Sequence, residues 1–560
     1  KRFFGSAYLN WEIVDDLMLR STLGVDLNSA RNGYFYDKNT INGGAKESKS
    51  GAEMVSNNNY TWETTLNWNK TFGKHNFNIL LGNSVISNHA ETFDMSGKNQ
   101  TYSGNLFWNL SSATDQREIG SDLVEDRMLS FFGRVHYKLY EKYLFNFSLR
   151  ADGSSVLAKG HKWGYFPSAA FAWRMIDENF MKGARSFMSD FKLRFSWGIS
   201  GNSAISPYQT LGGLGSTTYA FGDTGAYGFY PRNISNKDLG WEKTQTFNFG
   251  IDFGFFNNRI NGNIEIYQTN TTDLLMSRQL PPTSGFQSVM ENVGEMRNRG
   301  VEVVVNTVNF KPATKGGFSW DTSLSFTLNR ESIQSLTSGA TRDLVNYWFV
   351  GSPVNVFYDY NKIGIWQLDE EAEAAKYGQK PGDIKVEDIN HDGVISPDDD
   401  RKIVGTERPD FVLGMNNYFS YKNFDLSVFM YARVGQTIES EASGNYKIDG
   451  LENGPVVDYW TPEHPTNSHP RPDMNKNQSS AYMSTLWYQD GSFLKIRDVT
   501  LGYTFPDKWM HKIKVSKFRL YATLKNFFTF SHMSPYDPER GGSLSFPMTK
   551  QIVFGVNLNF

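Results

Sequence analysis

Lys142-Tyr143-Leu144-Phe145-Asn146-Phe147-Ser148-Leu149-Arg150-Ala151-Asp152 places Tyr143, Phe145, Phe147 and Leu149 on one side of an extended chain, with Asn146, Ser148, Arg150 and Asp152 on the other. A period of two marks a strand with one apolar and one polar face. A tight turn at 139–141 separates this strand from a second alternating segment at 128–138. The same period returns along the chain. Leu17, Leu19, Leu23, Val25 and Leu27 share a face, as do Phe77, Ile79 and Leu81, then Phe247, Phe249, Ile251 and Phe253, then Phe318, Trp320, Leu324, Phe326 and Leu328. Seventeen strands are predicted in all. They are 3–14, 17–28, 60–70, 76–86, 128–138, 142–152, 166–175, 191–199, 244–254, 260–270, 297–308, 318–330, 411–421, 424–434, 493–504, 516–528 and 549–560. Helical periodicity is confined to two short stretches, Asp177–Met188 and Asp369–Tyr377.

Composition narrows what such a chain does. The 560 residues carry a net charge of −3, which excludes a strongly basic nucleic-acid binder. No cysteine is present, so disulfides, thiolate metal sites and cysteine nucleophiles are excluded. Mean hydropathy is −0.48, and no stretch approaches the about 20 apolar residues of a membrane helix. Yet 15% of residues are aromatic. Strands of about ten residues are long enough to cross a bilayer when tilted. The fold class that results is all-β: a transmembrane antiparallel β-barrel.

The connections point the same way. Turns at 15–16, 71–75, 139–141, 255–259 and 422–423 are short, whereas 29–59, 87–127, 200–243, 331–410 and 435–492 are long and polar. Short turns on one side of the membrane and long extracellular loops on the other are the habit of outer-membrane barrels. The last strand alternates Ile552, Phe554, Val556, Leu558 and Phe560; the terminal Phe560 is expected to be an assembly signal. With a periplasmic C-terminus, strand parity predicts an odd number of strands before Lys1, because an open sheet edge in lipid is forbidden. The chain is expected to be part of a barrel that begins upstream, with any plug lying outside residues 1–560.

Several motifs together resemble one family. Arg150-Ala151-Asp152-Gly153-Ser154-Ser155, Gly164-Tyr165-Phe166-Pro167-Ser168, Leu239-Gly240-Trp241-Glu242-Lys243-Thr244 and Gly250-Ile251-Asp252-Phe253 with Asn258-Arg259-Ile260 occur in order. Tyr267, Thr272-Asp273-Leu274-Leu275, Pro281-Pro282-Thr283-Ser284-Gly285, Asn292-Val293-Gly294 and Asn298-Arg299-Gly300-Val301-Glu302 follow. Trp460-Thr461-Pro462, Phe493-Leu494-Lys495-Ile496-Arg497 and Asp537-Pro538-Glu539 complete the series. The chain resembles the SusC/RagA family of TonB-dependent outer-membrane transporters. That resemblance implies a 22-stranded barrel, five strands of it upstream, and a plug preceding this region. It also implies a SusD-like surface lipoprotein as lid, coupling to TonB-ExbB-ExbD through the missing N-terminal region, and oligosaccharide or oligopeptide substrates. Two readings of another class stay open: a plug-free passive porin or export pore, and a non-transporting surface scaffold barrel.

Local chemistry is concentrated in the long loops. Asp388-Ile389-Asn390-His391-Asp392-Gly393-Val394-Ile395-Ser396-Pro397-Asp398-Asp399 fits a calcium loop of the form D-x-[DN]-x-[DN]-G. Asp388, Asn390 and Asp392 would supply side-chain oxygens, Val394 its carbonyl, and Ser396 and Asp399 the remaining positions. Hard oxygen donors favour Ca²⁺, and without flanking helices the ion would be structural. Aromatics of the same loops, Tyr227, Phe229, Tyr230, Trp348, Phe349 and Trp366, suit stacking on sugars or peptide side chains. Trp241 and Trp320 read as interfacial-girdle residues or anchors at strand ends. His464 and His469, near Glu463 and Asp473, lack ordered ligand spacing. No nucleophile elbow, zinc-protease, phosphate-loop or dinucleotide motif occurs, so nothing argues for an enzyme.

Overall fold

The computed structural model describes residues 1–43, 47–314, 316–474, 481–510, 515–533 and 536–559; the proposed signal residue Phe560 lies outside them. Seventeen strands share one sheet. The first seven are β1 (Arg2–Val14), β2 (Leu17–Tyr36), β3 (Lys49–Phe72), β4 (His75–Gln100), β5 (Ala113–Leu139), β6 (Tyr143–Ser154) and β7 (Trp163–Arg174). Then come β8 (Met188–Asn202), β9 (Glu242–Phe255), β10 (Ile260–Thr272), β11 (Glu295–Phe310) and β12 (Ser319–Ser335). The last five are β13 (Phe411–Tyr421), β14 (Phe424–Val434), β15 (Phe493–Thr504), β16 (Lys517–Ser531) and β17 (Gln551–Asn559).

Four strands reach far beyond the predicted ends. The expected loops 29–59 and 87–127 are largely ladder: β2 and β3 stay in register to Tyr36↔Lys49, and β4 and β5 stay paired to Gln100↔Ala113, with one shift of register between Ser96 and Lys98. The extensions pair polar residues such as Asn59↔Asn88 and His89↔Glu125. Apolar residues such as Met54, Phe93, Met95, Ile119 and Leu123 still share one face there, but polar ones such as Glu91 and Ser121 interrupt them, so the alternation that reveals the rest of each strand is broken. Asp177–Met188, expected as a helix, is a series of 3₁₀ turns at 175–177, 179–181 and 184–186. The other helix forms, shortened, as α1 (Glu371–Lys376).

The chain divides into two compact units. In the first (1–173, 194–247 and 269–295), β1 to β7 form an antiparallel meander. Short turns such as Asp15–Asp16 and Tyr140–Lys142 close its short side, with Tyr140 and Glu141 both at positive φ, the conformation tight hairpins favour. One face carries the row Leu81↔Gly133↔Leu149↔Pro167 and the pair Val135↔Phe147. Leu81, Leu149 and Phe147 are more than half exposed there. The other face carries Ser84↔Ser130↔Asp152, all buried.

The second unit (174–193, 248–268 and 296–560) repeats the pattern. Leu501↔Ala522↔Phe554 and Leu520↔Val556 present an exposed apolar face. On the opposite face Arg519 grips Asp425 through two hydrogen bonds of 2.9 and 2.5 Å. An apolar face on this scale exceeds what a water-soluble monomer tolerates and suits lipid. No described helix is long and apolar enough to cross a membrane.

Segments 331–410, 435–474 and 481–492 of this unit build a folded layer. Val356–Tyr360 pairs with Arg401–Thr406, Lys362–Ile365 with Ile384–Val386, and Thr437–Glu439 with Tyr488–Asp490. Ile365, Ile384, Val386, Trp460 and Leu486 form its core.

Candidate functional site

The family-like motifs of the first unit meet in space. Trp241, expected as a girdle residue or strand-end anchor, stands directly before β9 and is buried against Phe166 with ring centroids 5.2 Å apart, so it is not a girdle residue. Its indole N–H donates to the Lys162 carbonyl at 2.8 Å, satisfying the polar edge that burial would otherwise strand. The Ala158 N–H donates to the Leu239 carbonyl at 3.1 Å. Gly201 is required at this contact, because a Cβ there would stand 2.1 Å from Phe166. Asn292 accepts from the Gly240 N–H at 2.7 Å and donates to the carbonyls of Gly240 and Asp273. These motifs therefore form a structural latch.

The paired motifs of the second unit meet as well. Lys495 is fully buried and its ammonium lies 2.8 Å from Asp537 and 2.6 Å from Glu539. Arg497 reaches Glu539 at 2.9 Å. Trp460 donates to Gln367 at 2.9 Å. Arg471 bridges Asp383 and Asp473, at 3.2 and 3.0 Å.

The Asp-rich loop is held by its own backbone. Asp388 accepts the N–H groups of His391 and Gly393 at 2.7 and 2.9 Å and the Tyr377 hydroxyl at 3.1 Å. Gly393 sits at φ +82°, where a side chain would be strained. Asn390 Oδ1 accepts from the Asp392 N–H, and Asp392 from that of Val394. Ser396 and Asp399 bond each other at 3.1 Å. The residue missed by sequence reasoning is Asp400. It is fully buried and accepts the N–H groups of Ile389 and Ser396, both at 2.8 Å, closing the loop from beneath. Among the described residues no three His, Asp or Glu side chains gather where a metal ion could sit. The donor chemistry of the loop, oxygen throughout, nevertheless suits a hard cation.

The loop aromatics separate into three environments. Tyr227, Phe229 and Tyr230 lie on a hairpin, Leu214–Phe221 with Thr224–Pro231, and are exposed. Tyr219 and Phe221 of the same hairpin are equally open. Trp348 and Phe349 are half-buried, Phe349 packing on Tyr358 at 4.7 Å. Trp366 is 4% exposed, so the expectation that it offers a face to substrate fails. Its ring is covered by the Lys385 ammonium at 4.3 Å and by Tyr377. An aromatic beside Ile365 and Ile384 is drawn into the layer's core.

His464 bonds Asp458 at 2.8 Å, while His469 lines a cleft of about 390 Å³ in the loop layer. Lys362 lines the same cleft and donates to the carbonyls of Asn467 and Ser468 at 2.8 and 2.6 Å. Burial pushes its ammonium down to about 8. Burial also lowers His469, and the neighbouring Lys362 charge adds to the effect. These residues come from segments about a hundred positions apart, so no local motif announces them.

The sheet, its lipid-suited face and its long, folded loops define an outer-membrane β-barrel. A family model described as "TonB dependent receptor-like, beta-barrel" matches residues 1–527, and the chain belongs to that family. TonB-dependent receptor P3 of Formosa agariphila is 31% identical over 552 residues, covering 95% of this chain and 54% of the relative. TonB-dependent receptor SusC of Bacteroides thetaiotaomicron is 30% identical over 530 residues, covering 90% and 50%. The structure of the RagAB peptide transporter superposes on the whole chain and 62% of its own, with a TM-score of 0.85 at 23% identity, a likeness of fold. The chain thus spans about half the length of these two curated relatives.

Proposed function

We propose that this chain is the wall and loop layer of an active importer, which takes up oligosaccharides or oligopeptides with energy delivered through TonB-ExbB-ExbD. The observation that carries the reading is the folded layer over the second unit. Its apolar core, short ladders and cleft suit recognition of a ligand more than passive diffusion, and binding sites favour such concave surfaces. A SusD-like lipoprotein is the proposed partner. The exposed hairpin bearing Tyr227, Phe229 and Tyr230 supports it, since aromatics open on both faces mark interaction surfaces more often than idle ones. The barrel would bind and pass cargo without changing it.

The test is uptake of labelled oligomers by cells carrying the full-length gene, with and without TonB, alongside identification of proteins that copurify in detergent. TonB-dependent accumulation and a copurifying lipoprotein support the importer. Accumulation that ignores TonB makes it a passive pore.

The Asp388–Asp399 loop we read as a structural calcium site, with Asp388, Asn390, Asp392, Val394, Ser396 and Asp399 as donors. The turned backbone at Gly393 and the all-oxygen donor set support this. Calcium, compared with magnesium, should slow proteolysis within 388–400, and Asp392→Ala should abolish the difference. Equal protection by either ion would sink the reading.

A further inference from the structure

The cleft in the loop layer contains a cation without a counter-ion. Lys362 spends two of its three N–H donors on the carbonyls of Asn467 and Ser468. Among the described residues no carboxylate pairs with it. A half-buried ammonium held by carbonyl dipoles alone is costly, because desolvation is repaid best by an opposite charge. Beside it, His469 contacts the Ser468 hydroxyl through Nδ1 at 2.9 Å. Its Nε2 is buried and has no hydrogen-bond partner among the described residues. Buried polar atoms are nearly always satisfied, so an orphan of this kind beside a cleft is a donor that a ligand completes once the side chains covering it shift. If Ser468 donates to Nδ1, the tautomer left carries its proton on Nε2, and two donors serve one cleft.

The rest of the lining is specific too. Tyr360 and Tyr488 contribute rings, while Gln489 and Ser443, hydrogen-bonded to each other, contribute polar edges. The Tyr488 hydroxyl is tied to Asp359 at 3.1 Å, which fixes its ring. Fixed aromatic faces with small hydroxyl and amide groups suit a polyhydroxylated ring better than an extended peptide. A volume of about 390 Å³ admits one or two sugar units.

We propose that this cleft is a subsite for an anionic sugar residue, whose carboxylate or sulfate ester accepts from Lys362 Nζ and His469 Nε2. The proposal rests on the importer reading and narrows its substrate class to acidic oligosaccharides.

The test is calorimetric titration of the full-length protein, purified in detergent with whatever copurifies. The probes are galacturonate oligomers, a sulfated neutral oligosaccharide, the unsulfated oligosaccharide and a short peptide with a free C-terminus. Binding of a uronate or sulfated probe, weakened about ten- to a hundredfold in Lys362→Met and restored in part by Lys362→Arg, is expected. The probe that responds identifies which anion the cleft takes. His469→Gln should weaken the same probe, and keeps the test available if Lys362→Met does not fold. An unsulfated probe that binds equally well to wild type and variants supports a charge-specific site. The proposal is overturned if neither anionic probe responds to the substitutions, or if only the peptide does. TonB-dependent uptake, measured separately, would survive either result, so failure of the subsite is distinguishable from failure of the importer.

Discussion

Lys495 shows how a single side chain holds two distant segments together. It is completely buried, yet two carboxylates from 42 and 44 residues downstream converge on it. Removing one member of a buried ion network leaves its partners charged and unsatisfied. Lys495→Ala is therefore expected to cost about 3–5 kcal/mol. Arg497 touches the same Glu539, but its side chain is 42% exposed, so Arg497→Ala should cost under about 1 kcal/mol. The midpoint of heat-induced loss of the fast-migrating folded band in detergent reads both; similar shifts would contradict the network. Lys362 offers a pH test. Its folded pKa is pushed from 10.5 to about 8 by burial. Below about 8 both folded and unfolded chains hold the proton and the buried charge opposes folding. Between about 8 and 10.5 the unfolded chain holds more protons, so stability rises with pH. The difference in midpoint between wild type and Lys362→Met should move in favour of wild type across that window, and a constant difference would refute the assignment.

At the scale of elements, the latch around Trp241 joins the turn after β6, strand β7 and the approach to β9. Trp241→Ala removes a buried indole, its edge-to-face contact with Phe166 and the bond to the Lys162 carbonyl. A loss of about 3–5 kcal/mol is expected, with new protease sensitivity at 155–162 as the local signature. Sensitivity unchanged there would mean the motif acts elsewhere. What was legible in the sequence follows the same physics. The apolar period in β6 and β17 was readable because one face of each must be apolar. The far ends of β2 to β5 were not, since Asn57, Asn59, Glu91 and Asp94 obey the ladder but break the run of apolar residues that elsewhere marks a strand. Trp366 misled because a loop aromatic reads as a ligand platform until Ile365, Ile384 and Trp460 are seen to form a core. Asp388 to Asp399 were found by spacing, whereas Asp400, one residue beyond the motif, was not. The cleft was invisible: Lys362 and His469 are joined only by the folding of the layer.

For the molecule as a whole, the decisive property is that the sheet in each unit has one exposed apolar face and one polar face, the latter holding Arg150 in the first unit and Asp425 in the second. Phe147 and Asn146 are neighbours in β6 yet stand on opposite faces, Phe147 opposite Val135 and Asn146 opposite His136. An arginine at Phe147 would meet hydrocarbon, where an outward charge near the midplane costs about 2–4 kcal/mol. An arginine at Asn146 would join a polar face that already holds Arg134 and Arg150 and should be tolerated. Phe554 in β17, 80% exposed and opposite Ala522, should behave like Phe147. The readout is the fraction of each variant recovered from outer membranes in the heat-modifiable form. Phe147→Arg and Phe554→Arg should lower that fraction severalfold and Asn146→Arg should not. If all three fold equally well, the exposed apolar face of each unit is not its lipid surface, and the two faces of its strands have been assigned the wrong way round.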